Sequence, residues 1–374
     1  MDFNLTEEQT EMVNLAARIF DGQATVERVK VVEASEERFD RQLWAELAKA
    51  NLLGIAIPEE WGGSGFGILE LCLLVEQQGR RVAPVPLLPT VLVSAMALAE
   101  HGSREQQATW LPGVASGSTV LTAALTEAGA NEPLRPRVSA SPDSTGWRLD
   151  GTKVCVPAAH VAARVLVPAR TVSGTGVFMV DPQGPGVAIQ RAETTNHEAQ
   201  SHLVFDGVPV ASNEVIGDPA AGGAVVDSMV SHALLGLCAI QLGVAEEALS
   251  MAASYTAERQ QFGRALATNQ SVAQKAADAY IDVEAMRVTM LQAAWRMTTG
   301  RDATQEVLVS KWWASEAGQR VVHTAQHLHG GVGADVEYPV HRYFLWGKQI
   351  ENSLGGASQQ LERIGQAIAA GARA

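Results

Sequence analysis

The sequence reads as an α+β protein: an N-terminal helical domain, a central antiparallel β domain and a C-terminal four-helix bundle. Three observations carry that reading. Up to about Gly117, apolar residues recur at intervals of three and four, the period of a helix lying on a core. Between residues 118 and 221 the pattern changes to short β-rich runs bounded by Gly, Pro, Asp or Ser, as in a small antiparallel sheet or barrel. From Gly222 long helical stretches return, and 225–258 carries small and apolar side chains nearly all round, the mark of a helix buried on most sides. The expected domains are therefore 1–117, 118–221 and 222–374.

The elements follow in order. Thr6-Glu7-Glu8-Gln9 has the capping-box spacing, a hydroxyl for an orphan amide and a glutamine reaching back. Val13, Ala16, Ala17 and Phe20 continue that helix, and Leu43, Trp44, Leu47 and Ala48 mark the next, ending near Gly54. Residues 58–65 are a turn-rich break, 69–78 resume helix, and Pro84, Pro86 and Pro89 punctuate a connection. Strands are expected at 119–126, 151–156, 164–167, 176–180 and 202–205, with turns at 139–146 and 181–186. Long helices are expected at 225–258, 271–299 and from Thr304 onward, the last containing Trp312, Trp313 and Val321. The segment after Gln349 completes the four-helix bundle.

Composition narrows the function. A chain of 374 residues, 47% hydrophobic and 18% charged, is globular and long enough for two or three cores. A net charge of -13 disfavours nucleic acid and an anionic membrane surface, but leaves local binding of an anionic small molecule open. Cys72, Cys155 and Cys238 lie far apart, without metal-ligand spacing, which favours a reduced, cytoplasmic setting. The chain opens into a helix signal rather than a targeting segment, and no uninterrupted apolar run of spanning length is apparent, so a membrane role is not expected.

Several stretches could carry chemistry. In Glu258-Arg259-Gln260-Gln261-Phe262-Gly263-Arg264, Arg259 can pair with a phosphate, Phe262 can lie against an aromatic ring, and Gln270 offers both donor and acceptor. The plain alternative is a basic helix end complementing the helix dipole, which is commoner when that stretch is taken alone. His327-Leu328-His329-Gly330-Gly331-Val332-Gly333 invites a metal reading, but two histidines in a glycine-rich turn without Cys, Asp or Glu at ligand spacing fit a backbone or cofactor contact better. Its glycines miss the Rossmann fingerprint, since no strand precedes them. Thr126-Glu127-Ala128-Gly129 could offer a hydroxyl and amides to a polar ring, or be a strand-to-turn exit. Nucleophile elbow, P-loop and H-E-x-x-H motifs are lacking, which sets aside the corresponding hydrolases.

Taken together, Pro58-Glu59-Glu60-Trp61-Gly62-Gly63, Thr126-Glu127, Arg259-Gln260-Gln261-Phe262-Gly263 and His329-Gly330-Gly331-Val332-Gly333 make the whole chain resemble the acyl-CoA dehydrogenase family. The resemblance implies an FAD enzyme that introduces a double bond between Cα and Cβ of an acyl-CoA, a glutamate taking the α proton. It also implies that Arg259, Phe262 and Gln270 reach a neighbouring subunit's FAD, and that Gly330 and Gly331 lie beside its pyrophosphate and adenosine. His327 stands where many relatives have glutamine.

Elsewhere the family pattern is broken. Gly355 replaces the base glutamate, and Ala233, between His232 and Leu234, stands at the second family position for that base. Cys155 and Pro157 fall where relatives place ring-facing tryptophan and threonine, and Glu132 falls near a position that usually offers serine to phosphate. The resemblance is strongest to the non-catalytic β-type chain of actinobacterial steroid and cholesterol side-chain acyl-CoA dehydrogenases. It implies a heterotetramer of two catalytic and two non-catalytic chains, an acyl-CoA in the partner's pocket, and an electron-transfer flavoprotein as acceptor. Two other readings remain at this stage: an active homo-oligomer whose base has moved to Glu351, Glu246 or Glu247, and a scaffold touching neither cofactor nor substrate.

Overall fold

A computed structural model describes residues 3–129 and 132–371. Helices come first: α1 (Glu7–Gln23), α2 (Val26–Glu33), α3 (Arg41–Lys49) and α4 (Ile68–Arg81). A π-helical stretch, Leu88–Ala95, leads into α5 (Met96–His101), and α6 is Arg104–Ala115. The Thr6–Gln9 capping box forms as expected, and a second, Ser103 with Gln106, opens α6. Pro89 does not lie in a connection: it occupies the first turn of the π-helix, where a missing amide costs no hydrogen bond.

The strands are β1 (Leu121–Ala123), β2 (Ser139–Asp143), β3 (Gly146–Pro157), β4 (Arg164–Arg170), β5 (Thr175–Val180), β6 (Val187–Ala192), β7 (Gln200–Ala211) and β8 (Val215–Ile216). They form one sheet in the order β6-β7-β3-β2-β4-β5-β8, with β1 also on β4. The sheet is mixed rather than wholly antiparallel, because β1 and β2 both run parallel to β4. Of the expected 139–146 turn only Ser144 and Thr145 lie outside a strand: Gly146 opens β3, and 139–143 is strand β2, whose Ser-Ala-Ser-Pro-Asp sequence has no β-branched residue to announce it. It is held by its hairpin with β3, Asp143 facing Gly146, and by burial of Ala140. Strand β6, with every residue at least partly exposed, is equally silent in the sequence.

From Gly223 the chain is helical, interrupted by one small hairpin: α7 (Gly223–Glu258), β9 (Gln260–Gln261), β10 (Arg264–Ala265), α8 (Gln270–Thr298), α9 (Thr304–His329), α10 (Val340–Asn352) and α11 (Ala357–Gly371). The expected fourth bundle member is two helices, α10 and α11, separated by a turn containing Gly355. By length and composition α7 could cross a membrane, contrary to the sequence reading, yet 67% of its most apolar window is buried within the protein.

Packing groups these elements into two compact units. One holds the chain up to Val29, Cys72–Ala83 and everything from Leu234; the other holds Lys30–Leu71 and Pro84–Ala233. The second contains the sheet, whose core includes Leu149, Val165, Phe178, Leu203 and Val210. In the first, α9 packs against α8, α10 and α11. Close approach is enforced by glycine: a Cβ on Gly243 of α7 would lie 2.0 Å from the Glu76 carbonyl of α4. Beside that contact lies a charge network, with Arg80 2.9 Å from Glu246, Arg81 3.0 Å from Glu247, and Arg287 3.2 Å from both Glu76 and Glu246.

Candidate functional site

The ends of α7 and α9 meet through a ring contact between Tyr255 and His329, and the six residues singled out by sequence lie on the last turn of α9 or on the segments that follow the two helices. After α7, the chain makes a two-residue hairpin with Gln261 opposite Arg264. Its turn needs a positive φ at both central positions, and Phe262 (+57°) and Gly263 (+77°) supply them. Glycine or asparagine suits such a turn. Phenylalanine there is strained by roughly 1–2 kcal/mol and gains nothing in return within the chain, since Phe262 is 94% exposed. Arg259, at the hairpin's root, is exposed, and among the described residues its guanidinium has no hydrogen bond or ion pair. Gln270, the first residue of α8, is exposed as well.

The two histidines lie not in a loop but in the last turn of α9. Two residues along a helix rotate by about 200°, so they face opposite ways: His327 is exposed and His329 is buried. The glycines that follow have separate causes. Gly330 adopts φ +63°, ψ −138°, a conformation essentially closed to other residues. Gly333 packs against α9, where a Cβ would lie 2.6 Å from the Gln326 carbonyl. Gly331 has neither reason, because a Cβ there meets nothing within 4 Å. The ring of Tyr255, near the end of α7, stacks on His329 at 4.7 Å between centroids, bringing the hairpin's root to the glycine turn.

Neither position expected to hold the base offers an acid. Gly355 is buried at φ +105°, and its carbonyl accepts from the Gln360 amide (2.9 Å) and the Lys311 ammonium (3.3 Å). Ala233 is 3% exposed; beside it, His232 lies 3.6 Å from Glu100, and burial holds its imidazole below the usual range. The three carboxylates considered as displaced bases are engaged: Glu246 and Glu247 in the arginine network, Glu351 with Lys348.

In the other unit, Glu127 is not offered to a ligand. It is 7% exposed, bonds Lys153 at 2.7 Å, and accepts from the Arg137 and Val138 amides at 2.7 and 3.2 Å. Burial opposes its charge, but these donors outweigh it and hold the carboxyl below its usual range. Cys155 is exposed at a bulge of β3, at φ +52°, its amide donating to His202 Nδ1 (3.2 Å). Glu132 is exposed, 3.7 Å from Arg135.

Sequence reasoning missed Lys311 and Tyr255. Lys311 was legible, since it shares a helical face with Val307, Ala314, Gly318 and Val322, all buried. Tyr255 gave no signal, because its partner rings are contributed by distant segments.

The sequence matches the acyl-CoA dehydrogenase N-terminal domain over residues 6–118 and the acyl-CoA dehydrogenase C-terminal domain over residues 220–369. It is 41% identical to acyl-CoA dehydrogenase FadE27 of Mycobacterium tuberculosis, over 99% of both chains. Among solved structures, it is similar to a variant of the Tcur3481-Tcur3483 steroid ACAD, with 49% identity, TM-score 0.93, and coverage of 98% of this chain and 99% of that one. It is also similar to the ChsE4-ChsE5 complex from Mycobacterium tuberculosis, with 42% identity, TM-score 0.93 and 99% of both chains covered.

Proposed function

The chain belongs to the acyl-CoA dehydrogenase family, FAD-dependent oxidoreductases acting on CH–CH bonds, and from that premise we propose that it is the non-catalytic chain of a heteromeric member. In this reading it lends Arg259, Phe262, Gln270, His327, Gly330 and Gly331 to an FAD whose ring pocket and glutamate belong to a homologous partner. FAD held there would supply the hydride-accepting chemistry of the reaction. This chain's own work is to hold the anionic and adenine end: Arg259 by a charge-assisted bond to phosphate, Phe262 by ring contact, and the glycine turn by close backbone approach.

The observation that carries the proposal is an asymmetry. The hairpin and glycine turn carry features their own chain does not use: a strained and exposed Phe262, an exposed Arg259 and the open space at Gly331. The two positions expected to hold the base, by contrast, carry buried Gly355 and Ala233. An active homo-oligomer is disfavoured because the alternative carboxylates are ion-paired. The steroid ACAD named among the similar structures supports a steroid-type CoA thioester as substrate class. We place an electron-transfer flavoprotein as the electron acceptor, and the enzyme in the cytoplasm.

The test is flavin stoichiometry. The chain expressed alone should retain little FAD, while its co-expressed complex with the homologous partner should carry one FAD per unlike pair. Arg259→Ala should weaken FAD binding in that complex by roughly ten- to hundredfold, the value of a charge-assisted hydrogen bond. A full complement of FAD with acyl-CoA oxidation by the lone chain would sink the proposal, and an unaltered FAD content in the Arg259→Ala complex would favour a scaffold.

A further inference from the structure

The hairpin bearing Arg259 and the turn bearing Gly330 must keep a fixed spacing if they serve one nucleotide. Among the described residues, no hydrogen bond or ion pair joins residues 259–266 to residues 327–334. What joins them is a group of three rings. Tyr255 stacks on His329 at 4.7 Å with an interplanar angle of 26°; Tyr338 meets His329 at 5.2 Å and Tyr255 at 6.5 Å. Tyr255 and His329 each sit at the origin of the feature they serve: the Tyr255 carbonyl accepts the Arg259 amide at 2.8 Å, and His329 immediately precedes Gly330.

The chemistry of His329 fits a packing role rather than proton transfer. Its Nδ1–H donates to the Ala325 carbonyl at 2.7 Å, which fixes the neutral tautomer. Its Nε2 is buried and has no hydrogen-bond partner among the described residues. The ring therefore acts as a flat face between two tyrosines.

We propose that Tyr255, His329 and Tyr338 form a ring clasp that sets the distance between Arg259 and the Gly330-Gly331 turn, making them positioning residues for the nucleotide. The clasp rests on the functional reading above, and its test separates the two. FAD dissociation constants are measured by titrating the deflavinated complex with FAD, alongside melting temperatures of the assembled complex. Tyr255→Phe keeps the stack and should bind FAD within about twofold of the unaltered complex, as should His329→Phe. Tyr255→Leu should bind roughly tenfold more weakly, the scale of a lost aromatic pair. If the Tyr255→Leu chain fails to assemble, Tyr338→Leu against Tyr338→Phe supplies the same comparison.

Loss of FAD affinity in the leucine variants with retention in the phenylalanine variants supports the clasp. Unchanged affinity in Tyr255→Leu or Tyr338→Leu, even with a lowered melting temperature, overturns it while leaving the site intact if Arg259→Ala still weakens FAD. Unchanged affinity in Arg259→Ala overturns the site and the clasp together.

Discussion

Replacing Lys311 by methionine should remove a contribution to stability that grows with pH in the natural chain. Lys311 is fully buried in α9. It donates to Ser315 Oγ (2.7 Å) and to the carbonyls of Ile350 (3.1 Å), Glu351 (3.3 Å) and Gly355 (3.3 Å), at the negative end of the α10 dipole. Despite these partners, burial lowers its pKa from 10.5 to about 8. Cys238 and Glu351 favour the charged amine, but burial outweighs them; the Cys238 thiol is itself pushed up to about 11 by burial. At 1.36 kcal/mol per pH unit, the difference is worth about 3 kcal/mol. The sign follows from proton binding. Below pH 8 both folded and unfolded chains hold the proton and the full penalty is present. Between pH 8 and 10.5 the unfolded chain holds more protons, so folding is increasingly favoured; above that range the contribution is flat.

Methionine fills a similar volume, and each carbonyl keeps another donor: Ser353 N–H for Ile350, Ser315 O–H for Glu351, and the Gln360 amide for Gly355. At pH 7 the Lys311→Met chain should therefore melt no lower than the natural one. From pH 8 to 10.5 the natural chain should gain on it by up to about 3 kcal/mol, a shift of several degrees. Thermal melts of both chains across that range, with pH 7 as the reference, measure this directly. A gap that does not change with pH, or a methionine variant several degrees less stable at pH 7, would refute the reasoning.

Three further changes test other parts of the account. Phe262→Gly relieves the positive-φ strain and should leave the lone chain as stable or about 1 kcal/mol more stable, while lowering FAD retention in the complex; melting and flavin absorbance separate the effects. Gly355→Glu forces a side chain into φ +105°, with its Cβ 2.8 Å from Gln359 Oε1. It should cost about 1–3 kcal/mol and yield no acyl-CoA oxidation by the lone chain in a dye-reduction assay. Glu127→Gln leaves Lys153 buried without its anion and should cost about 3–5 kcal/mol; adding Lys153→Met should recover part of that loss in chemical denaturation.

The sequence spoke clearly where local rules decide the outcome. The Thr6 cap, the long helices and the strand at 176–180 follow from side-chain period and capping chemistry, and they form within a residue or two of expectation. It was silent where partners impose the structure. Strand β2 exists because β3 accepts it, and Pro89 is helical because it falls at the one position where proline is tolerated. The division into two packing units was also hidden, since α1 and part of α4 join a unit made mostly of residues beyond Leu234. At the site, residue types were legible but their causes were not. Three glycines written close together proved to answer to conformation, to open space and to packing.

The open space beside Gly331 has a practical consequence for anyone scoring variants of this chain. A survey that ranks substitutions by heat resistance would pass alanine or serine there as harmless, because no atom of the chain is displaced. Under the role proposed above, only a readout that includes the assembled holoenzyme would register the effect, so residues that face a partner's cofactor would be invisible to the cheapest screen.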